Sequence, residues 1–243
     1  MELMYGELAP WWPLLSPAED YADEASFATT LLRTADRPVR EVLELGSGGG
    51  SVASHLADEF TMTLTDLAEP MLAASRVLNP GMTHVQGDMR DVRLAGDFDA
   101  IFVHDAITYM RTEDDLTAAM TTAYVHCRPG GVAVFVPDHV ADSFESTTDY
   151  GGSDDDSGRG ARFLLWTTDA DPDDGLYEMH VSYLLRHADG TVEAHHETHR
   201  HGLFPRETWQ RLLTEAGFEV DIVAEVTTED RAGRDFLVGR RPA

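Results

Sequence analysis

The sequence predicts an α/β fold, a doubly wound sheet that is mostly parallel and carries an inserted antiparallel β layer. Three observations predict it. Short apolar runs alternate with helix-like stretches from position 41 to position 136. A glycine-rich turn follows the first of those runs. Beyond Pro137 the pattern changes to strand-like runs separated by turn residues, with no helical period between them.

Met4 to Leu15 is aromatic and punctuated by proline, and Glu19 to Leu32 reads as a helix with Tyr21, Ala25, Ala28 and Leu32 on one side. A segment of this kind could close over a ligand site as a lid. Equally, Tyr5, Trp11 and Trp12 could do no more than staple the N-terminus to the core.

Val42 to Leu45 reads as a buried strand, and Ser51 to Asp58 as the helix after it. Glycines at 46, 48 and 50 lie between them, where they permit a sharp turn and close approach of a ligand to backbone. The nicotinamide fingerprint G-x-G-x-x-G needs glycine at position 51; Ser51 stands there, which opposes a nucleotide-cofactor oxidoreductase. Met62 to Thr65 is the second strand. Asp66 at its end lies about 20 residues after the first glycine, where such sheets place an acid on ribose hydroxyls; a helix-capping aspartate fits the same position.

Thr83 to Gln86 is the third strand, followed by the Gly87–Asp91 loop, and Phe98 to Val103 is the fourth, followed by His104 to Tyr109. Both loops should open on the same edge as the glycine turn, the ligand edge of open α/β sheets. Thr112 and Asp115 form a helix cap ahead of Leu116, Ala119, Met120 and Ala123. Arg128-Pro-Gly-Gly131 breaks that helix before the fifth strand, Val132 to Val136.

Residues 138–160 read as polar loop, then strand-like runs span Arg162–Thr168, Leu176–His187 and Thr191–Leu203, closed into hairpins by turn residues. Pro205 opens a last helix that Ala216-Gly217 stops, and Phe218–Val226 with Asp235–Arg240 should form a hairpin at the sheet edge. The chain therefore divides into an α/β domain, 1–137 with 204–243, and an inserted β subdomain, 138–203.

Composition narrows the function. Acidic residues outnumber basic ones 44 to 18, for a formal charge of −26 that repels phosphate backbones and disfavours a nucleic-acid partner. All the basic residues are arginine, so no lysine exists to form a pyridoxal Schiff base. No apolar run reaches the roughly 18 residues of a membrane span, and the start lacks a basic region followed by an apolar core, which predicts a soluble, cytoplasmic protein without a membrane partner. Cys127, the only cysteine, excludes an internal disulfide and reads as a small core residue beside the helix.

Two stretches imitate metal sites. Asp169 to Gly175 looks like a calcium loop, but Asp174 and His180 occupy its required glycine and glutamate positions. Strand alternation puts His195, Glu197, His199 and His201 on one face, with no second ligand group to complete a site and His196 on the other face. No metal is expected.

The motifs together resemble the class I S-adenosylmethionine (SAM)-dependent methyltransferases along nearly the whole chain. The residues that carry the resemblance are Glu44-Leu-Gly-Ser-Gly-Gly-Gly50, Asp66-Leu-Ala-Glu-Pro-Met71, Gln86-Gly-Asp-Met-Arg-Asp91, Arg128-Pro-Gly-Gly131 and Ala216-Gly-Phe218. More narrowly, Tyr21–Ala25, Gly87–Asp91, the insertion and Leu203-Phe204 look like the bacterial aminosugar N-methyltransferases of antibiotic pathways. Trp11-Trp12 and His104-Asp105 depart from that pattern. The resemblance implies a Rossmann-like seven-stranded sheet, SAM as cofactor and a small-molecule methyl acceptor: an amine, a hydroxyl or an aromatic carbon. It implies an insertion that covers the active site and can support a homodimer.

By the same resemblance Glu44, Leu45, Gly46, Ser47, Gly48, Asp66, Leu67, Met71, Asp88, Met89 and His104 would surround the cofactor. Tyr5, Trp11, Trp12, Tyr21, Tyr109 and Trp166 would line the acceptor. His104, Asp105, His139, His199 and His201 are candidates for the base that deprotonates it. The acidic field and the aromatic segment favour a neutral or cationic acceptor. A SAM-binding protein without catalysis would carry the same motifs.

Overall fold

The computed structural model describes residues 2–226 and 233–243. In chain order, α1 is Trp12–Leu15, α2 Ala22–Leu32, β1 Glu41–Leu45, α3 Ser51–Leu56, β2 Thr61–Asp66, α4 Glu69–Leu78, β3 Thr83–Gln86 and β4 Phe98–His104. There follow α5 Glu113–His126, β5 Cys127–Val136, β6 Thr147–Gly151, β7 Gly160–Thr168, β8 Leu176–Arg186, β9 Val192–Gly202, α6 Arg206–Ala216, β10 Glu219–Ala224 and β11 Asp235–Arg240.

Seven strands form one mixed sheet in the order β10-β11-β5-β4-β1-β2-β3. Strands β1 to β5 run parallel, joined by crossovers that contain a helix everywhere except between β3 and β4, and β11 joins β5 antiparallel with β10 as the outer strand of its hairpin. Alternation along the central strands feeds two cores. Leu43, Leu45, Ile101, Val103 and Phe135 face α5 and α6, whereas Val42, Ala100, Phe102, Val132 and Val134 face α2 and α3. Strands buried on both faces explain why β1 and β4 read as unbroken apolar runs.

Local signals sit where the sequence placed them. Thr112 Oγ1 accepts the Asp115 amide at 3.1 Å and starts α5. Gly217 ends α6 at φ 110°, a backbone conformation that a side chain would oppose. Three details differ. The expected Glu19–Leu32 helix begins with a separate 3-10 turn, Ala18–Tyr21, before α2. Cys127 starts β5 rather than ending the helix, pairing with Phe98, and the Pro-Gly-Gly stretch is absorbed as an irregularity before Val132 meets Ala100. The supposed loop 138–160 contains β6, whose outward, polar residues gave no apolar alternation to read.

A second, antiparallel sheet in the order β6-β7-β8-β9 is built wholly between Thr147 and Gly202. Its inner residues Ala161, Val181, Tyr183 and Leu185 pack on Met4, Leu8, Trp11 and Leu14 of the N-terminal segment. That segment reaches the other sheet too, since Ala9 packs with Ala68 and Met71. It is therefore both staple and wall. Among the described residues no helix is long and apolar enough to cross a membrane.

Candidate active site

The carboxyl ends of β1 to β5 open on one cavity of about 730 Å³, closed on its other side by the N-terminal segment and by β7 to β9. That size lies within the usual range for a small-molecule site, about 300–1,000 Å³.

The glycine turn forms one end. Gly46, Gly48 and Gly50 all have positive φ (76°, 52° and 76°), so the turn excludes side chains on conformational grounds alone. The Gly46 and Ser47 amides donate to Thr65 O at 2.8 and 2.9 Å, anchoring the turn to β2. A Cβ at Gly46 would collide with Ala106, and one at Gly49 with the Trp12 ring. One at Gly48 would meet nothing nearer than Met71 Cε at 3.7 Å. Backbone beside Gly48 thus faces open cavity.

Asp66 accepts the Gly48 amide through Oδ2 and the Ala68 amide through Oδ1, both at 2.8 Å. Burial raises its pKa, and these backbone donors partly offset that. Glu44 is 2% exposed, and burial pushes its carboxyl up to about 8. Its Oε2 and Ser47 Oγ lack a hydrogen-bond partner among the described residues. Buried oxygens left unpaired beside an open glycine edge fit the amino-acid end and the ribose of a SAM molecule. Across the cavity Arg90 holds Asp88 at 2.6 Å and Asp115 at 2.8 Å, and keeps the Asp88 carboxyl below its ordinary pKa.

The floor is an ionic knot. His104 Nε2 lies 2.7 Å from Glu24 Oε1 and 3.2 Å from Asp105 Oδ1. Arg234 Nη1 lies 2.6 Å from Asp105, 3.1 Å from Glu24 and 4.0 Å from Asp138. Burial opposes a charge on His104, but Asp105 and Glu24 outweigh it and raise its pKa to about 9. Although His104 Nε2 and Arg234 Nη1 are 3.1 Å apart, Glu24 and Asp105 flank both and carry the imidazolium.

The far wall is a chain of hydroxyls and imidazole. Tyr5 and Tyr109 hydroxyls are 2.8 Å apart, Tyr109 Oη is 2.5 Å from His199 Nδ1, and His199 Nε2 is 3.0 Å from Glu197. That last pair is too poorly aligned to make a hydrogen bond. Glu197 also accepts the Leu3 and Met4 amides at 2.6 and 3.2 Å, tying the N-terminal segment to β9. His201 lines the cavity with both nitrogens unpartnered among the described residues, and burial lowers its pKa to about 3.

The cavity therefore gathers most of the residues expected in it: Glu44, Gly46, Ser47, Gly48, Asp66, Leu67, Asp88, Met89, His104, Asp105, Tyr5, Trp12, Tyr21, Tyr109, His199 and His201. Five expected residues stand elsewhere. Leu45 points into the core, since alternation sends it opposite to Glu44. Met71 is buried behind the turn. Trp11 packs on the second sheet, with the Arg159 guanidinium 4.2 Å over its ring. Trp166 lies on the outer face of β7 and is 55% exposed, because its neighbours Phe163 and Leu165 take the inner register. His139 packs on Phe144 and Tyr177, and burial lowers its pKa to about 4.

Asp138, Arg234 and Glu24 escaped the sequence reading, which places Glu197 on the face of His199 and His201 but gives it no role. Asp138 was findable, because it follows β5 as Asp66 follows β1's neighbour and Asp105 follows β4. Arg234 and Glu24 reach the floor from opposite ends of the chain, a pairing with no local signal. Among the described residues no group of three histidines, cysteines or acids is placed to hold a metal.

Residues 42–131 match the family described as a methyltransferase domain. The matched stretch holds the glycine turn and Asp66, and the sheet order is the one typical of class I methyltransferases; the protein is a SAM-dependent methyltransferase that acts on a small molecule. It is 29% identical over 222 residues to dTDP-3-amino-3,6-dideoxy-alpha-D-glucopyranose N,N-dimethyltransferase of Streptomyces fradiae, covering 90% of this chain and 86% of that one. Among solved structures it is similar to Streptomyces venezuelae DesVI, with TM-score 0.80, 28% identity and 92% coverage of each chain. It is also similar to SAM-bound CalS10, an amino pentose methyltransferase of Micromonospora echinaspora, with TM-score 0.76, 26% identity and 91% coverage of each.

Proposed function

We propose that this enzyme methylates the amino group of a nucleotide-linked aminosugar in secondary metabolism. The observation that carries the reading is the extent of the likeness to the S. fradiae enzyme. Only about a tenth of this chain lies outside the match, so residues 138–203, the walls of the acceptor side, fall within it. We treat that stretch as a substrate subdomain on the α/β domain formed by 1–137 and 204–243.

Bound SAM supplies a methyl on a sulfonium, a cationic leaving group that needs no covalent help from the protein. In this reading Glu44 and Ser47 receive the amino-acid end, Asp66 the ribose, and Leu67, Asp88 and Met89 the adenine. Tyr5, Trp12, Tyr21 and Tyr109 shape the acceptor's side and exclude water, while His201 offers its unpaired nitrogens to sugar hydroxyls. His104, held as a cation, anchors the floor instead of taking protons. His139 and His201, with pKa values of about 4 and 3, are poor bases at neutral pH.

The outer face of β7 to β9 exposes Trp166, Leu184 and Val192 at 54–63%, which supports a homodimer through that sheet. The test of function is turnover: SAM with a dTDP-linked aminosugar, and with the matching dTDP-linked sugar bearing hydroxyl in place of amine. S-adenosylhomocysteine should accumulate, and methylated product appear by mass spectrometry, with the aminosugar alone. Methylation of the hydroxyl analogue only would sink the reading.

A further inference from the structure

The floor of the cavity holds more carboxyls than cations. Glu24, Asp105 and Asp138 converge from α2 and from the ends of β4 and β5, against His104 and Arg234. They are not equivalent. Glu24 and Asp105 each lie within 3.2 Å of both cations, whereas Asp138 stands 4.0 Å from Arg234. Glu24 is buried with 4% of its side chain accessible, but Asp138 keeps 31% and lines the cavity. Asp138 is thus the carboxyl whose charge the knot leaves over, and it faces the acceptor's space. Its position follows from register: His104 pairs with Val136, so the chain leaves β5 beside the loop that carries Asp105.

We propose that Asp138 receives the acceptor's ammonium and takes its proton, with Asp105, Arg234 and His104 as positioning residues; this rests on the amine reading above. The ammonium R–NH3+ gives one proton to the Asp138 carboxylate and becomes R–NH2. Its lone pair forms the N–CH3 bond as the S–CH3 bond breaks, the bonding pair staying on sulfur. The products are R–NH2+–CH3 and S-adenosylhomocysteine, and the proton on Asp138 returns to solvent. Positive charge moves from sulfur to nitrogen, so carboxylates around the nitrogen stabilise the transition state.

Burial, and the Asp105 charge beside it, push Asp138 up to about 8, so without the acceptor it is largely protonated at pH 7; an ammonium placed against it favours the carboxylate, whose proton affinity approaches that of an amine. Arg234 and His104 act in the opposite direction, while Tyr177 on β8, Tyr5, Tyr109 and the adjoining His139 complete its charged and titratable surroundings.

The competing role is structural, with Asp138 serving only to share a proton with Asp105. Steady-state kinetics of Asp138→Asn from pH 6 to 10 separates the two, with a dTDP-linked aminosugar as probe. At pH 7 its kcat/KM should fall about 100- to 1,000-fold while SAM affinity stays within about twofold. The deficit should close as pH rises and the acceptor loses its proton unaided. Asp105→Asn removes the neighbouring negative charge and should move the acidic limb to lower pH. A pH-independent deficit in Asp138→Asn, a loss under about threefold at pH 7, or an unmoved limb in Asp105→Asn overturns the proposal. If the wild-type enzyme methylates hydroxyls and no amine, the amine reading fails first and the proposal with it.

Discussion

Asp66 accepts the Gly48 amide at 2.8 Å, and through that bond the end of β2 fixes the apex of the glycine turn on β1. Its second oxygen takes the Ala68 amide ahead of α4. That bond orients the chain entering α4 without capping it, since the N-cap is Ala68 and the helix has no side-chain cap, and the remaining lone pairs of Asp66 stand at the cavity.

Asp66→Ala should weaken SAM binding about 10- to 100-fold, or about 1.4–3 kcal/mol, since both the turn and the ribose lose a charged acceptor. Calorimetric titration measures it, and an affinity equal to wild type would reject the role.

The strand and helix succession and the edge on which the loops open were legible because they depend on local patterns: apolar runs, glycines at fixed spacing and Asp66 at the end of the second strand. Register fixed the inward face of β9 correctly, for His199 and His201 are both buried. Trp166 was misplaced because an aromatic residue in a strand looks the same from either face until the pairing is known. The knot was illegible. Glu24 and Arg234 meet across 210 positions, and nothing in either neighbourhood announces the other.

Gly46 and Gly48 should fail differently. Gly48→Ala adds a methyl to open cavity at φ 52°, costing about 1 kcal/mol of stability and much of the SAM affinity in a protein that still folds. Gly46→Ala forces its Cβ into Ala106 and should lower Tm further. Thermal melts with and without SAM separate the cases, and equal behaviour of the two variants would contradict the open space at Gly48.

Glu44 has a folded pKa of about 8 against an ordinary 4.5, so at pH 7 it is largely protonated without cofactor. An ammonium group placed against it favours the carboxylate, so SAM binding at pH 7 should release close to one proton. Calorimetry in buffers of different ionisation enthalpy reads that proton, and Glu44→Gln should abolish its release.

His104 makes a second pH-dependent contribution. Its folded pKa, about 9, exceeds the ordinary 6.5, so its ion pairs stabilise fully below about pH 6.5 and progressively less as pH rises through 9. The raised carboxyls of Glu44 and Asp138 act in the same direction, because each costs stability as the unfolded chain ionises above about pH 4. Tm should therefore fall from pH 6 to pH 9, and His104→Gln should flatten that slope; a wild-type Tm rising over this range would refute the knot's charge assignment.

The two faces of the second sheet should separate substrate recognition from assembly. On the inner face Tyr183 and His201 border the cavity, whereas Trp166 and Leu184 on the outer face point to solvent at 55% and 54% exposure. His201→Ala removes a buried imidazole whose nitrogens have no hydrogen-bond partner among the described residues, so its loss should be felt more by the acceptor than by the fold. KM for the acceptor should rise about tenfold, while SAM affinity stays within about twofold, roughly 0.4 kcal/mol. Trp166→Glu and Leu184→Arg should leave acceptor kinetics near wild type and shift the sedimentation profile toward the monomer, because a charge on that face opposes pairing with its own copy. Were the outer variants to impair acceptor turnover as monomers while His201→Ala proved silent, the faces would have the reverse roles, and residues 138–203 would serve assembly before substrate.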